Sequence, residues 1–304
     1  MAPTNKINDL FNVNGLVAVI TGGGSGLGLY AARALDANGA KAVYIVGRRE
    51  QSLKDAAATG INGKIIPVVG DVTNKDSLKK VVDHVQKEQG YINLLFANSG
   101  IGGHHDNTVI TKPDGSKPSV QEFADFVGGP SLDEFNKTLS TNVTGVFHTA
   151  IAFLPLLDAG NNKKNVAQDS QILITSSVAG FSRYLASSFA YSTSKAAVNH
   201  LCKMLATTFA QQGFHIRANV IAPGLYPSEL TQSATDKLDK FNAVDGAWED
   251  ARVMAKDRAP AERTGSEEDF AATVLYFASR AGAYLNGETL LTDGGRLAQM
   301  PAVY

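Results

Sequence analysis

The sequence predicts an α/β fold, a doubly wound parallel sheet with helices on both faces. Short apolar runs alternate with amphipathic stretches of about ten residues or more along the 304-residue chain. Continuous apolar runs bounded by turn signals fit strands buried on both sides, and the longer periodic stretches fit crossover helices. A balance of 29 glycines against 10 prolines suits many tight strand-to-helix turns.

The first three strands are expected at residues 16–20 (LVAVI), 42–46 (AVYIV) and 65–69 (IIPVV). Four more follow at 92–97, 171–175, 216–221 and 288–291, most of them separated by helical patterns. Repeated strand-helix-strand units imply right-handed crossovers and layers on both sides of the sheet. No internal repeat and no Pro/Ser-rich linker divides the chain, so a single domain over 1–304 is expected. Two stretches break the rhythm. Residues 102–130 carry His104, His105, Lys112-Pro-Asp-Gly115, Lys117-Pro118 and Gly128-Gly129-Pro130, and read as a long inserted loop. Residues 224–246 form the second. Both follow strand C-termini, where open α/β sheets bind ligands, and long connections of this kind tend to be functional.

Composition narrows the partners. With 44% hydrophobic and 19% charged residues the chain is globular, and a net charge of -1 provides no long-range field for nucleic acid or an anionic membrane. A small-molecule ligand is expected. The single cysteine, Cys202, excludes an intrachain disulfide or a cysteine zinc site and reads as a core residue. The first ten residues lack the apolar core of a signal peptide, and no later stretch reads as long enough to span a bilayer, so a cytoplasmic location is expected. His104 and His105 have no fixed acidic partner, and His84, His148, His200 and His215 lack ligand spacing, so no metal is expected.

After the first strand comes Thr21-Gly-Gly-Gly-Ser-Gly-Leu-Gly28, opening a helix. Gly22 permits a sharp turn, Gly26 lets backbone approach a pyrophosphate, and Gly28 lets the helix pack closely on the sheet. Backbone N–H groups around Gly24, Ser25, Gly26 and Leu27 would then face the anion. The G-x-G-x-x-G/A form is matched only from Gly26 to Ala31, too late after the strand; the spacing that fits is TGxxxGxG. At the end of the second strand stand Arg48 and Arg49 where an acid would hold a ribose 2′-hydroxyl, and guanidinium forks suit a 2′-phosphate. NADP(H) is the expected cofactor. Glu50 comes late and favours the next helix's N-terminus.

Further along, Tyr191-Ser-Thr-Ser-Lys195 places a phenol and an ammonium on one helix face, one turn apart. These motifs together resemble the short-chain dehydrogenase/reductase family in its compact Rossmann form, over nearly the whole chain. They occur in the family's order: TGxxxGxG at Thr21, Asp71-Val72, Asn98-Ser99-Gly100, Asn142, Ser176-Ser177, Tyr191-x-x-x-Lys195 and Pro223-Gly224. The run from Pro223 to Thr231 is similar to fungal-type members loosely like 3-oxoacyl carrier protein reductases. The resemblance implies a seven-stranded sheet, a nicotinamide cofactor and carbonyl or alcohol oxidoreduction. In it, Asp71 and Val72 hold the adenine, Asn98 lies near the cofactor ribose, Lys195 bonds the nicotinamide ribose, and Pro223-Gly224 flanks the nicotinamide. Three features depart from the pattern: Ser99 replaces an alanine beside Gly100, the serine-to-tyrosine spacing is one residue longer, and the 102–130 segment is long.

Reduction of a carbonyl needs a proton donor at the oxygen and a second hydrogen bond to orient it. Tyr191 and Ser177 are expected to supply these, with Ser176 as the competing serine. Lys195 would lower the phenol's pKa from about 10, and Asn142 would hold a water that links Lys195 to solvent for reprotonation. Phe181, Tyr184, Leu185, Leu225, Tyr226 and Leu230 are expected to border the cleft and favour a fairly apolar substrate. The same chemistry run as alcohol oxidation, and an NADP(H) sensor without turnover, are the alternatives. By resemblance the helices around 143–157 and 191–211 pair subunits, implying a homodimer or homotetramer, and the C-terminal LAQMPAVY joins that interface or frays.

Overall fold

The computed structural model describes residues 5–103, 112, 114–185 and 187–303. Seven strands form one parallel sheet: β1 (Val17–Thr21), β2 (Ala42–Gly47), β3 (Ile65–Val69), β4 (Leu94–Ala97), β5 (Gln171–Thr175), β6 (Arg217–Pro223) and β7 (Thr289–Thr292). Their order is 3-2-1-4-5-6-7. Each expected strand is present within two residues of its expected bounds. The described helices are α1 (Ile7–Leu10), α2 (Gly26–Ala37), α3 (Glu50–Ala58), α4 (Lys75–Glu88), α5 (Val120–Val127), α6 (Leu132–Leu139), α7 (Gly145–Lys163), α8 (Phe189–Gln211), α9 (Gln232–Thr235) and α10 (Glu267–Ala278).

The two-residue period of each strand divides the core. Val17, Val19, Tyr44, Val46, Leu95, Ile172 and Ile174 face α4, α7 and α8, meeting Val85, Phe153, Leu157, Val198 and Cys202. Ala18, Ile20, Val43, Ile45, Phe96 and Leu173 face α2, α3 and α10, meeting Leu35, Leu53, Phe270 and Phe277. This is why the strands read as unbroken apolar runs. Each large side chain so buried contributes roughly 1.5–3 kcal/mol. Strand order reverses between β1 and β4, and the crevice beyond their C-terminal ends is the natural ligand site of such a sheet.

Three expectations are corrected. Within 102–130, residues 120–127 are helical: Ser119 accepts from the Glu122 N–H while the Glu122 carboxylate accepts from the Ser119 N–H, a reciprocal cap. Residues 104–111 and 113, with His104 and His105, lie outside the described residues. Second, α6, a π turn at Ser140–Thr144 and α7 form one helical run of 32 residues, long and apolar enough to cross a bilayer. Its Ala150, Phe153 and Leu157 are nevertheless fully buried against the sheet, so protein already covers that face. Third, residues 301–303 of the C-terminal segment are paired within the chain rather than frayed. Ala302 bridges antiparallel to Ser182, with the Val303 N–H donating to Phe181 O and the Arg183 N–H to Pro301 O (2.9 and 2.8 Å).

Candidate active site

The C-terminal ends of the strands open into a cleft of about 570 Å³. Its floor is a hydrogen-bonded line across three strand ends. The Thr21 hydroxyl at the end of β1 accepts from the Asn98 and Ser99 N–H groups (3.1 and 3.2 Å). The Asn98 amide donates to the Thr21 and Gly22 carbonyls (both 3.2 Å), and its carbonyl accepts from the Thr175 hydroxyl on β5 (2.9 Å). Asn98 therefore reaches the cleft wall, as expected, while its side chain is spent on the framework.

Gly22 adopts φ +67°, a region that penalises side chains. A Cβ on Gly28 would lie 2.3 Å from the Gly22 carbonyl oxygen, so α2 sits directly against the turn. Thr21 and Gly28 thus support the cleft from behind, whereas Gly22, Gly24, Ser25, Gly26 and Leu27 line it. Ser25, at the head of α2, makes no side-chain cap bond. The N–H groups of that first turn are left to a ligand, and the turn fits an anionic pyrophosphate.

At the adenosine end stand Arg48, Arg49, Asp71 and Val72. Burial raises the Asp71 carboxyl, but hydrogen bonds from Thr73 and the Arg48 charge outweigh it and hold it below its ordinary value. Arg49 reaches across the mouth to Glu229 (2.6 Å), whereas Arg48 has no ion-pair partner among the described residues. Glu50 opens α3 and pairs with Lys54 (2.7 Å), the helix role expected of it.

At the other end, Ser177, Tyr191 and Lys195 converge. The two candidate serines diverge: Ser176 donates to the Lys195 carbonyl inside the protein (3.0 Å), whereas Ser177 hydrogen-bonds with the Tyr191 phenol and accepts from the Ala179 N–H (3.1 Å). Ser188 caps α8 by accepting the Tyr191 N–H (3.0 Å), which fixes where the phenol stands. Burial raises the phenol above its ordinary value, and the Ser177 bond offsets this in part. The expected lowering by Lys195 is not seen. Its Nζ lies 5.6 Å from the Tyr191 ring centre and donates to the Thr175 carbonyl (2.9 Å). Burial pushes Lys195 itself down to about 8.

Asn142 is not in the cleft wall. It is 1% exposed, its Oδ1 accepts from the Ile101 N–H (2.9 Å), and its amide donates to Ile101 O and the Ser194 hydroxyl (2.9 and 3.0 Å). Both amide hydrogens are committed, so its side chain has none to give to a water. It pins the Ser99-Gly100-Ile101 turn to α8. A Cβ on Gly100 would meet Asn142 Oδ1 at 3.3 Å and Lys195 Nζ at 3.6 Å, which shows how tightly this corner closes. Ser99 and Gly100 line the cleft there, and Pro223 and Gly224 line the side across from it.

Of the six expected hydrophobic residues, only Tyr226 and Leu230 line the cleft. Tyr226 is mostly core, 4% exposed and edge-on to Phe270, with burial pushing its phenol up to about 12. Phe181, Tyr184, Leu185 and Leu225 are not in the wall. The wall instead includes Ser228, Glu229 and Thr231, which sequence reasoning passed over. Ser228 and Thr231 hydroxyls pair at 2.9 Å, and a Cβ on Gly26 would meet the Ser228 Cβ at 2.9 Å, so this segment folds over the glycine turn. The signal was the cluster of hydroxyls just after Pro223-Gly224. Among the described residues no group of three His, Cys, Asp or Glu is placed to hold a metal.

A short chain dehydrogenase sequence profile matches residues 16–239. The chain belongs to the short-chain dehydrogenase family. Members of this family are oxidoreductases that use a nicotinamide cofactor. The chain is 44% identical over 305 residues to the short-chain dehydrogenase/reductase PhomF of Diaporthe leptostromiformis, covering 100% of this chain and 99% of that one. It is 40% identical to the short-chain dehydrogenase/reductase VdtF of Byssochlamys spectabilis, covering 98% and 97%. Among solved structures it resembles the RhlG/NADP active-site complex of Pseudomonas aeruginosa, with a TM-score of 0.73, 26% identity, and 95% and 98% of the two chains covered.

Proposed function

We propose that this short-chain dehydrogenase is an NADPH-dependent reductase that converts the carbonyl of a small molecule to the alcohol. The observation that carries the reading is one cleft with Ser177, Tyr191 and Lys195 at one end and, at the other, an Arg48 without an ion pair among the described residues. The first turn of α2 binds the pyrophosphate, Arg48 and Arg49 the 2′-phosphate, and Asp71 and Val72 the adenine. The reduced nicotinamide, when bound beside Pro223-Gly224, supplies hydride. Ser177 orients the carbonyl oxygen by donating a hydrogen bond. Tyr191, whose pKa burial raises, gives its proton to that oxygen. Lys195, held at Thr175, places positive charge beside the site to stabilise the phenolate left behind. Asn142 is a positioning residue that fixes the Ile101 turn. The NADP in the Pseudomonas aeruginosa relative's complex supports the choice of cofactor.

The test is NADPH consumption, with NADH in parallel, across cyclic, aromatic and β-keto carbonyl compounds. Turnover preferring NADPH supports the reading, and a preference for NADH overturns its Arg48 assignment. Tight NADPH binding with no turnover of any compound favours a sensing role. Turnover only of alcohols with NADP reverses the direction. We further propose a homodimer or homotetramer joined through α7 and α8, where Phe147, Ile151 and Met204 are 39%, 40% and 54% exposed. A monomeric mass in light scattering would overturn that assembly.

A further inference from the structure

The chain beyond β7 touches one corner of the cleft, at Gly224, and the loop that links Ser177 to Tyr191. β7 ends beside Pro223 of β6, and the chain turns at Asp293, whose carboxylate accepts from the Gly295 and Leu297 N–H groups (2.9 and 2.6 Å). This turn packs on the Gly224 corner, where an added Cβ would lie 2.8 Å from the Asp293 Cα. Leu297, 1% exposed, anchors the next turn in the core. Residues 300–303 then pair with the loop after Ser177 through the Arg183-to-Pro301 and Val303-to-Phe181 backbone bonds (2.8 and 2.9 Å). The Ser182 hydroxyl adds a contact to Met300 Sδ at 3.7 Å.

The loop so held is the connection between Ser177 and Tyr191. It leaves the Val178–Gly180 turn and ends at Ser188, whose hydroxyl donates to Gly102 O (3.0 Å) while capping α8. We infer that residues 300–303 are a strap that positions this loop, and through it the relation of Ser177 to Tyr191 at the carbonyl end of the cleft. A pairing this short is marginal in water on its own. It persists because both sides are rooted in the core, at Leu297 and at Val178 and Ala179, which are 6% and 3% exposed. Segments with few tertiary bonds open locally at low free-energy cost, so removing the strap loosens the loop while the sheet stays intact. What the spacing serves rests on the reductase reading; the strap itself does not.

Val303→Pro deletes the N–H that bonds Phe181, and Val303→Ala keeps it; a protein truncated after Met300 serves as a second disruption. Three quantities are read: amide exchange across 181–191, the NADPH dissociation constant, and KM and kcat for the best carbonyl compound. The expected result for Val303→Pro is exchange about tenfold faster at the Arg183 and Tyr191 amides, neither of which the substitution touches directly. KM rises several-fold with a smaller change in kcat, and NADPH affinity and melting temperature match those of Val303→Ala. Unchanged exchange in both disrupted proteins, or equal acceleration in Val303→Ala, overturns the strap. Faster exchange with unchanged KM overturns its positioning role. If wild-type protein turns over no carbonyl, the reductase reading fails while the exchange measurement still decides the strap.

Discussion

The ammonium of Lys195 stands 5.6 Å from the centre of the Tyr191 ring and donates to the Thr175 carbonyl at 2.9 Å. Four-residue spacing on α8 brings the pair onto one face, and the end of β5 then captures the cation. Burial raises the phenol above its ordinary value, and the Ser177 hydrogen bond offsets this in part.

Tyr191→Phe retains the ring and removes the proton. Turnover should fall by about 10²–10⁴-fold, the usual contribution of a positioned general acid. NADPH affinity, measured by fluorescence titration, should stay within about twofold, because the pyrophosphate and 2′-phosphate contacts lie elsewhere in the cleft. Near-normal rates would remove Tyr191 from the chemistry.

Lys195 titrates at about 8 in the folded protein, below its unfolded value. Below pH 8 both states carry the charge, and the folded state bears the full penalty of burying it. As pH rises from about 8 towards the unfolded value near 10.4, the folded state releases its proton first and the penalty is relieved. The melting temperature of wild type should therefore gain on that of Lys195→Met over this interval and run parallel to it below pH 8. In the free enzyme, kcat/KM should decline as pH climbs through the same value.

Ser176 and Ser177 separate cleanly. Ser177→Ala removes the hydroxyl proposed to orient the substrate oxygen and should lower kcat by about 10²–10³-fold with little change in melting temperature. Ser176→Ala breaks a buried bond to the Lys195 carbonyl and should cost about 1 kcal/mol in denaturant unfolding, with kcat lowered far less. The reverse pattern would exchange their roles.

Arg48→Ala should weaken NADPH binding roughly ten- to hundredfold and leave NADH within about twofold, since only the phosphate contact is lost. Arg49→Ala should cost less, under about fivefold. Its guanidinium is 63% exposed and already paired with Glu229, and exposed pairs contribute about 1 kcal/mol or less. Equal losses for both cofactors would rule out a 2′-phosphate role for Arg48.

The strands were legible because burial on both faces leaves unbroken apolar runs, and the glycine turn because Gly22 and Gly28 meet backbone that tolerates no side chain. The helix at 120–127 was hidden by surrounding glycines and prolines, although Ser119 and Glu122 signal its start. Asn142 was singled out by its place in the motif series, but its hydrogen-bond partners are set by a tertiary approach to Ile101 and Ser194 that spacing does not reveal. The pairing of Ser182 with Ala302 is made by backbone groups, which every residue but proline carries alike, so no side-chain pattern could announce it. Lys195 was found by spacing, but its partner, a main-chain oxygen of another strand, was not, since backbone acceptors leave no side-chain signal.

Thr175 has a double attachment: its hydroxyl is tied to Asn98 beneath the glycine turn, and its carbonyl is tied to Lys195. One residue thus mortises the glycine-turn half of the cleft to the half that holds Ser177, Tyr191 and Lys195. Retuning one half in isolation would disturb the joint. The 224–246 excursion and residues 114–130 lie outside this joint, and divergence toward new substrates, whether by natural drift or by grafting loops in the laboratory, has its freedom there.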